Sequence, residues 1–142
     1  MWWLIGLCLL ITICYIAYKV WISLNRYSAM LNAVMAKHAF TKLSPDEQRE
    51  IKQQAVQILK EGGMTKPEES LKHMSEPIKF CFLGLAMSEL GYPPPFSTEK
   101  WVIVRNPFIA RGADRELWMA KNHLKKIYGI DVELDWTFLS NL

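Results

Sequence analysis

Apolar and polar positions are unevenly spread along the 142-residue chain. The opening stretch, "MWWLIGLCLLITICYIAYKVWISLNR", carries no charged residue from Met1 to Tyr18. A membrane helix needs about 20 mostly apolar residues, at about 1.5 Å of rise each, to cross ~30 Å of hydrocarbon. Val20 to Leu24 extend the run, and Lys19 has a stem long enough to snorkel. Trp2 and Trp3 mark one end of the span, and Tyr18 and Trp21, with Tyr15, mark the other. Amphipathic rings favour both membrane interfaces. A cleaved signal peptide would want a basic leading region and a small-x-small cleavage site. Tryptophans stand where the lysines would be, and no such site follows. The pattern predicts a retained anchor over residues 1–25.

Residues 26–42 continue without a helix breaker. Tyr27, Met30, Leu31, Val34, Met35 and His38 recur at helical spacing, with alanines and Asn32 opposite. The anchor helix is therefore expected to run on as a juxtamembrane amphipathic helix. Its stripe needs a cover: the chain's own domain by default, otherwise a second copy or a partner subunit. Tyr27, Met30, Leu31, Val34 and Met35 are the candidate partner-facing residues.

Residues 43–142 read as one small, helix-rich α+β domain. "LSPDEQREIKQQAVQILKEGG" opens on Ser44 as N-cap, Pro45 at the first helical position and Glu47 closing a capping box. Ile51, Ala55, Ile58 and Leu59 form its apolar face, and Gly62-Gly63 ends it. A short helix around Pro67–Met74, with Thr65 as its cap, and a longer one from Glu76 to Leu90, capped by Ser75, follow. The longer one is apolar over most of its surface, which marks it as a central helix. "KWVIVR", Lys100 to Arg105, reads as a strand. Ala113 to Tyr128 reads as a helix with Leu117, Ala120, Leu124 and Tyr128 on one face, stopped by Gly129. "GIDVELDW" then alternates Ile130, Val132, Leu134 and Trp136 with Asp131, Glu133 and Asp135. That is the period of a half-wet strand, and a short two-stranded sheet is expected.

Charge sets the expected orientation. Lys19, Arg26, Lys37 and Lys42 follow the span with no acid among them. Basic flanks stay in the cytoplasm, so the amino terminus is expected outside and the domain inside. Cys81 is the sole cysteine beyond the span, so the domain has no disulfide framework. It reads as a small buried hydrophobe.

Candidate chemistry is sparse. His38, His73 and His123 have no second ligand at helical spacing, and no metal, nucleotide or nucleophile-elbow motif occurs. No catalytic residue, metal site or cofactor is predicted. The three acids stand about 7 Å apart along a strand, too far to share one small cation. Residues 99–126 hold seven basic residues against three acids. Arg105, Arg111 and Arg115 flank a loop and a helix start, which makes them the candidate anion- or partner-binding residues. "GYPPPF" reads as a rigid connection with Tyr92 and Phe96 turned inward. A helix-turn-helix resemblance fails at Glu68 and Glu69, which phosphates would repel, so nucleic acid is not an expected partner.

The expected function is a non-catalytic, membrane-anchored interaction protein: an accessory subunit or an inhibitor or regulator of a membrane-associated complex. The expected partners are the bilayer and either a protein partner or a second copy. Two rivals differ in class. One is an enzyme on an anionic or lipid-like substrate, using Arg105, Arg111, Arg115 and His123. The other is an electrostatic docking module for acidic lipid or nucleic acid.

Overall fold

A computed structural model of the chain describes residues 1–94, 101 and 106–134. Among these residues there are five α-helices and one short 3-10 helix. Helix α1 runs unbroken from Trp2 to Phe40, 39 residues, a rod of about 58 Å at 1.5 Å per residue. Helices α2 (Pro45–Glu61), α3 (Pro67–Lys72) and α4 (Glu76–Glu89) follow. The 3-10 helix Pro107–Ala110 then leads into α5 (Asp114–Tyr128).

The two halves of α1 face different surroundings. The apolar window in its first half has no buried residue. In its second half Ala29, Met30, Ala33, Val34, Met35 and Ala36 are all buried, and so is Asn32. Helix α1 packs on α4, α5 and the 3-10 helix. The expected stripe is therefore covered by the chain's own domain. Met30, Val34 and Met35 lie inside the core, and Tyr27 and Leu31 pack half-buried against it. The alanine side, expected to be the outer one, is equally buried, because small side chains let neighbouring helices come close.

Helix α4 is the second central element, buried from Pro77 to Gly84 apart from Lys79. It meets α1 at close range. Asn32 Nδ2 donates to the Cys81 carbonyl at 3.3 Å, and Cys81 Sγ donates to the Ala29 carbonyl at 3.1 Å. A Cβ placed on Gly84 would stand 2.6 Å from Asn32 Nδ2 and 3.1 Å from the Ala36 methyl. Glycine at 84 is thus a packing requirement, despite its cost in helix propensity.

Local signals account for most helix ends. The Ser44–Glu47 capping box is formed, with both reciprocal bonds. Gln48 donates to the carbonyls of Phe40 and Leu43, satisfying acceptors left over where α1 stops. Gly129 takes φ +69°, and the Ile130 N–H reaches back to the Leu124 carbonyl at 3.3 Å. That glycine-terminated turn reverses the chain. At two expected caps no side-chain capping bond forms. The N-cap of α3 is Lys66, not Thr65, and makes no side-chain capping bond. Ser75 does occupy the N-cap of α4, but its hydroxyl makes no capping bond.

The expected two-stranded sheet is not supported: the described residues contain no strand. Of Lys100–Arg105, only Trp101 is among the described residues. Residues 130–134 are described, and they form no ladder. Their alternation survives. Ile130 and Leu134 are buried, while Asp131 and Glu133 are exposed. Any extended backbone turns successive side chains to opposite sides, with or without a neighbouring strand. Asp135, Trp136 and Phe96 lie outside the described residues.

Candidate functional site

Two constellations hold the domain onto α1. The first is a corner where α1 leaves its exposed apolar half. The Ser23 hydroxyl donates to Glu116 Oε1 at 3.1 Å, and Arg26 Nε donates to the Ile109 carbonyl at 3.3 Å. Glu116 is buried, on the same side of α5 as Leu117, Ala120 and Leu124. Gly112, at φ +75°, turns the chain beside the Arg26 guanidinium. Phe108 packs edge-on against Phe82 of α4 at 5.3 Å between ring centres, and the Arg111 guanidinium lies over Phe108 at 5.2 Å. Asn106 accepts the Phe108 N–H and starts the 3-10 helix. Two large apolar side chains at the start of α5 are left outside the core: Trp118 is 67% exposed and Met119 42%.

The second constellation is a clamp at the far end of α1. Lys37 Nζ meets Glu76 Oε2 at 2.6 Å and also donates to the Glu133 carbonyl. Lys121 Nζ meets Glu133 Oε2 at 2.6 Å, and Lys125 Nζ lies 3.6 Å from Asp131 Oδ2. The acids of the alternating segment therefore pair with lysines on α5, past which the chain has just reversed.

Arg105 lies outside the described residues. Arg111 and Arg115 are exposed. His123 is exposed too, eight residues beyond Arg115 and so about 12 Å further along α5. Among the described residues no three His, Cys, Asp or Glu side chains are grouped to hold a metal ion. Cys81 is sealed in the core, and burial pushes its thiol up to about 12. A thiol that seldom ionises is a poor nucleophile. Thr12 donates its hydroxyl to the Cys8 carbonyl at 2.8 Å, within its own helix.

The residues expected at the membrane interfaces lie on the exposed part of α1. Trp2, Trp3, Tyr18 and Trp21 are exposed, with Tyr18 and Trp21 stacked at 6.4 Å. Lys19 lies over the Tyr15 ring. One helix among the described residues is long and apolar enough to cross a membrane.

The concavities are open grooves. One of about 610 Å³ lies beside Lys60, Met64 and Pro67; another of about 420 Å³ is lined by Leu59, Met64, Phe82, Leu85 and Phe108. A third, of about 330 Å³, has Lys52, Lys72 and Lys79 at its edge with Glu68. Burial, and then the neighbouring Lys52 charge, lower the Lys79 ammonium from its usual range, with Glu76 opposing.

Sequence reasoning missed Ser23, Glu116, Trp118 and Met119. Helical spacing carried part of the signal: Glu116 adjoins Leu117 on the Ala113–Ala120–Leu124 face, and Trp118 does not. What Glu116 would meet there was not legible.

Comparison with family models, curated proteins and solved structures gave no match.

Proposed function

We propose that the protein is a single-pass membrane protein whose domain faces the cytoplasm and serves, without catalysis, as an accessory subunit or regulator of a membrane-associated complex. The observation that carries this is the double use of α1. Its first half is apolar and exposed, and its second half is the inside of the domain. No loop separates the two. The domain is thus held at a fixed height and rotation against the anchor, which suits a part that must meet a neighbour in the same membrane. Lys19, Arg26, Lys37 and Lys42 support the cytoplasmic side.

The stripe from Tyr27 to Met35 is spent on the core, so a partner must use other surfaces. The apolar groove between α2, α4 and the 3-10 helix is one. Purification of the full chain in mild detergent tests the reading. A stoichiometric partner or a defined homo-oligomer is expected. A monomer without partner across several mild detergents overturns it.

A further inference from the structure

We propose that the corner formed by the 3-10 helix and the first turns of α5 is a second membrane-contact surface, in which Trp118 and Met119 enter the interface of an anionic leaflet while Arg111 and Arg115 meet its headgroups. This rests on the reading that the first half of α1 spans the bilayer.

Height along α1 carries the argument. From Trp2 to Trp21 the helix rises about 28 Å, close to the ~30 Å of a hydrocarbon core. Ser23 is two residues further, about 3 Å, and Arg26 about 7 Å beyond Trp21. The headgroup layer on each side is roughly 5–7 Å thick. Ser23 and Arg26 are the residues that bind Glu116 and the Ile109 carbonyl. The corner is therefore fastened to α1 at headgroup depth. Trp118 follows Glu116 by two residues, which keeps it within about one helix diameter, ~10 Å, of that layer.

Chemistry agrees with position. Tryptophan is the side chain that settles best at a membrane–water interface, and here it is 67% exposed in a domain with a well-filled core. Met119 is exposed beside it. Arg111 and Arg115 are exposed in the same corner, with Asp114 the acid among them. Glu116 does not oppose an anionic surface, because it is buried and turned toward Ser23. The exposed apolar run of α1 ends at Trp21 and Leu24, in the same stretch as Ser23 and Arg26, the residues that hold the corner.

The test uses the full chain labelled with 5-fluorotryptophan in phosphatidylcholine nanodiscs, with or without about a third phosphatidylglycerol. Fluorine resonances are assigned by Trp118→Phe and Trp21→Phe. A water-soluble nickel chelate then reports the exposure of each ring. Trp21 is expected to be shielded in both discs. Trp118 is expected to be shielded about two-fold more in anionic discs than in neutral ones, and Arg111→Gln with Arg115→Gln removes that difference. If Trp118 relaxes as a fully aqueous ring while Trp21 is shielded, the second contact is wrong and the anchor stands. Shielding of Trp118 that ignores lipid charge marks a second copy or another protein on the patch, and likewise overturns it. Should Trp21 also relax as an aqueous ring, the anchor fails and the second contact fails with it.

Discussion

The side-chain amide of Asn32 occupies the space that a Cβ at Gly84 would need. The distance from Asn32 Nδ2 to that Cβ position is 2.6 Å, and from Oδ1 it is 3.0 Å. Asn32 is buried and its amide donates to the Cys81 carbonyl, so it has little freedom to withdraw. The contact fixes how closely α1 and α4 approach, and hence how the domain seats on the long helix.

Gly84→Ala is expected to destabilise the domain by about 1–2 kcal/mol. Overpacking costs about 1–3 kcal/mol, and the better helix propensity of alanine returns up to about 1. In an Asn32→Ala background most of the cost should vanish, leaving the milder approach to Ala36. Denaturant unfolding of the four proteins in the double-mutant cycle gives the coupling. Equal costs in both backgrounds would refute the contact.

Lys37 ties three elements together, since it reaches Glu76, the Glu133 carbonyl and, at 5.8 Å, the Phe80 ring. Lys37→Met keeps much of the stem and removes the charge. Its expected effect is local: faster amide exchange in residues 130–134, with global stability lowered by about 1 kcal/mol. Uniform acceleration over the whole domain would show that the clamp is not a local one.

The acids of the alternating segment are expected to matter little. Asp131→Asn with Glu133→Gln breaks two exposed ion pairs, at 3.6 and 2.6 Å, which together contribute about 1 kcal/mol or less. Leu134→Ala removes a side chain only 7% exposed, and the expected loss is about 2–4 kcal/mol. Thermal unfolding of the two variants should separate them clearly. The reverse order would make the acids, not the apolar positions, the informative part of "GIDVELDW".

Cys81 supplies a pH signature. Its thiol is pushed up to about 12 in the folded protein, whereas an unfolded thiol ionises near pH 8.5–9. Between those values the folded state holds the extra proton, so stability falls as pH rises. The loss begins near pH 9, is complete only above pH 12, and is of order 4 kcal/mol. Cys81→Ala should flatten this part of the profile. Maleimide should not label Cys81 at neutral pH until denaturant is added.

His38 gives the opposite slope on the acid side. Burial first, and the Lys42 charge second, lower its imidazole from the usual value. The unfolded chain then takes up the proton at higher pH than the folded one. Stability is full above about pH 6.5 and falls as pH drops from there toward the depressed folded value. His38→Gln should remove this step from unfolding profiles taken between pH 7 and 5. An unchanged step would assign it to another group.

What the sequence determined by itself was whatever is written within one segment. The uncharged opening run, the Ser44–Glu47 box, the Gly129 stop and the burial of Cys81 were all legible, because helix caps and apolar periods are satisfied by neighbours a few residues away. So was the unbroken passage of α1 from its exposed apolar half into the domain. Tertiary structure decided what each face meets. It covered Met30, Val34 and Met35 with the chain's own helices and buried the Asn32 side against Gly84. It turned the acids at 131 and 133 toward lysines on α5, with no neighbouring strand among the described residues. Alternation reports only that a backbone is extended; what pairs with it depends on where distant segments fold. Ser23 and Glu116 are 93 residues apart, and no local pattern encodes their hydrogen bond. That bond nevertheless sets the domain against the end of the apolar span.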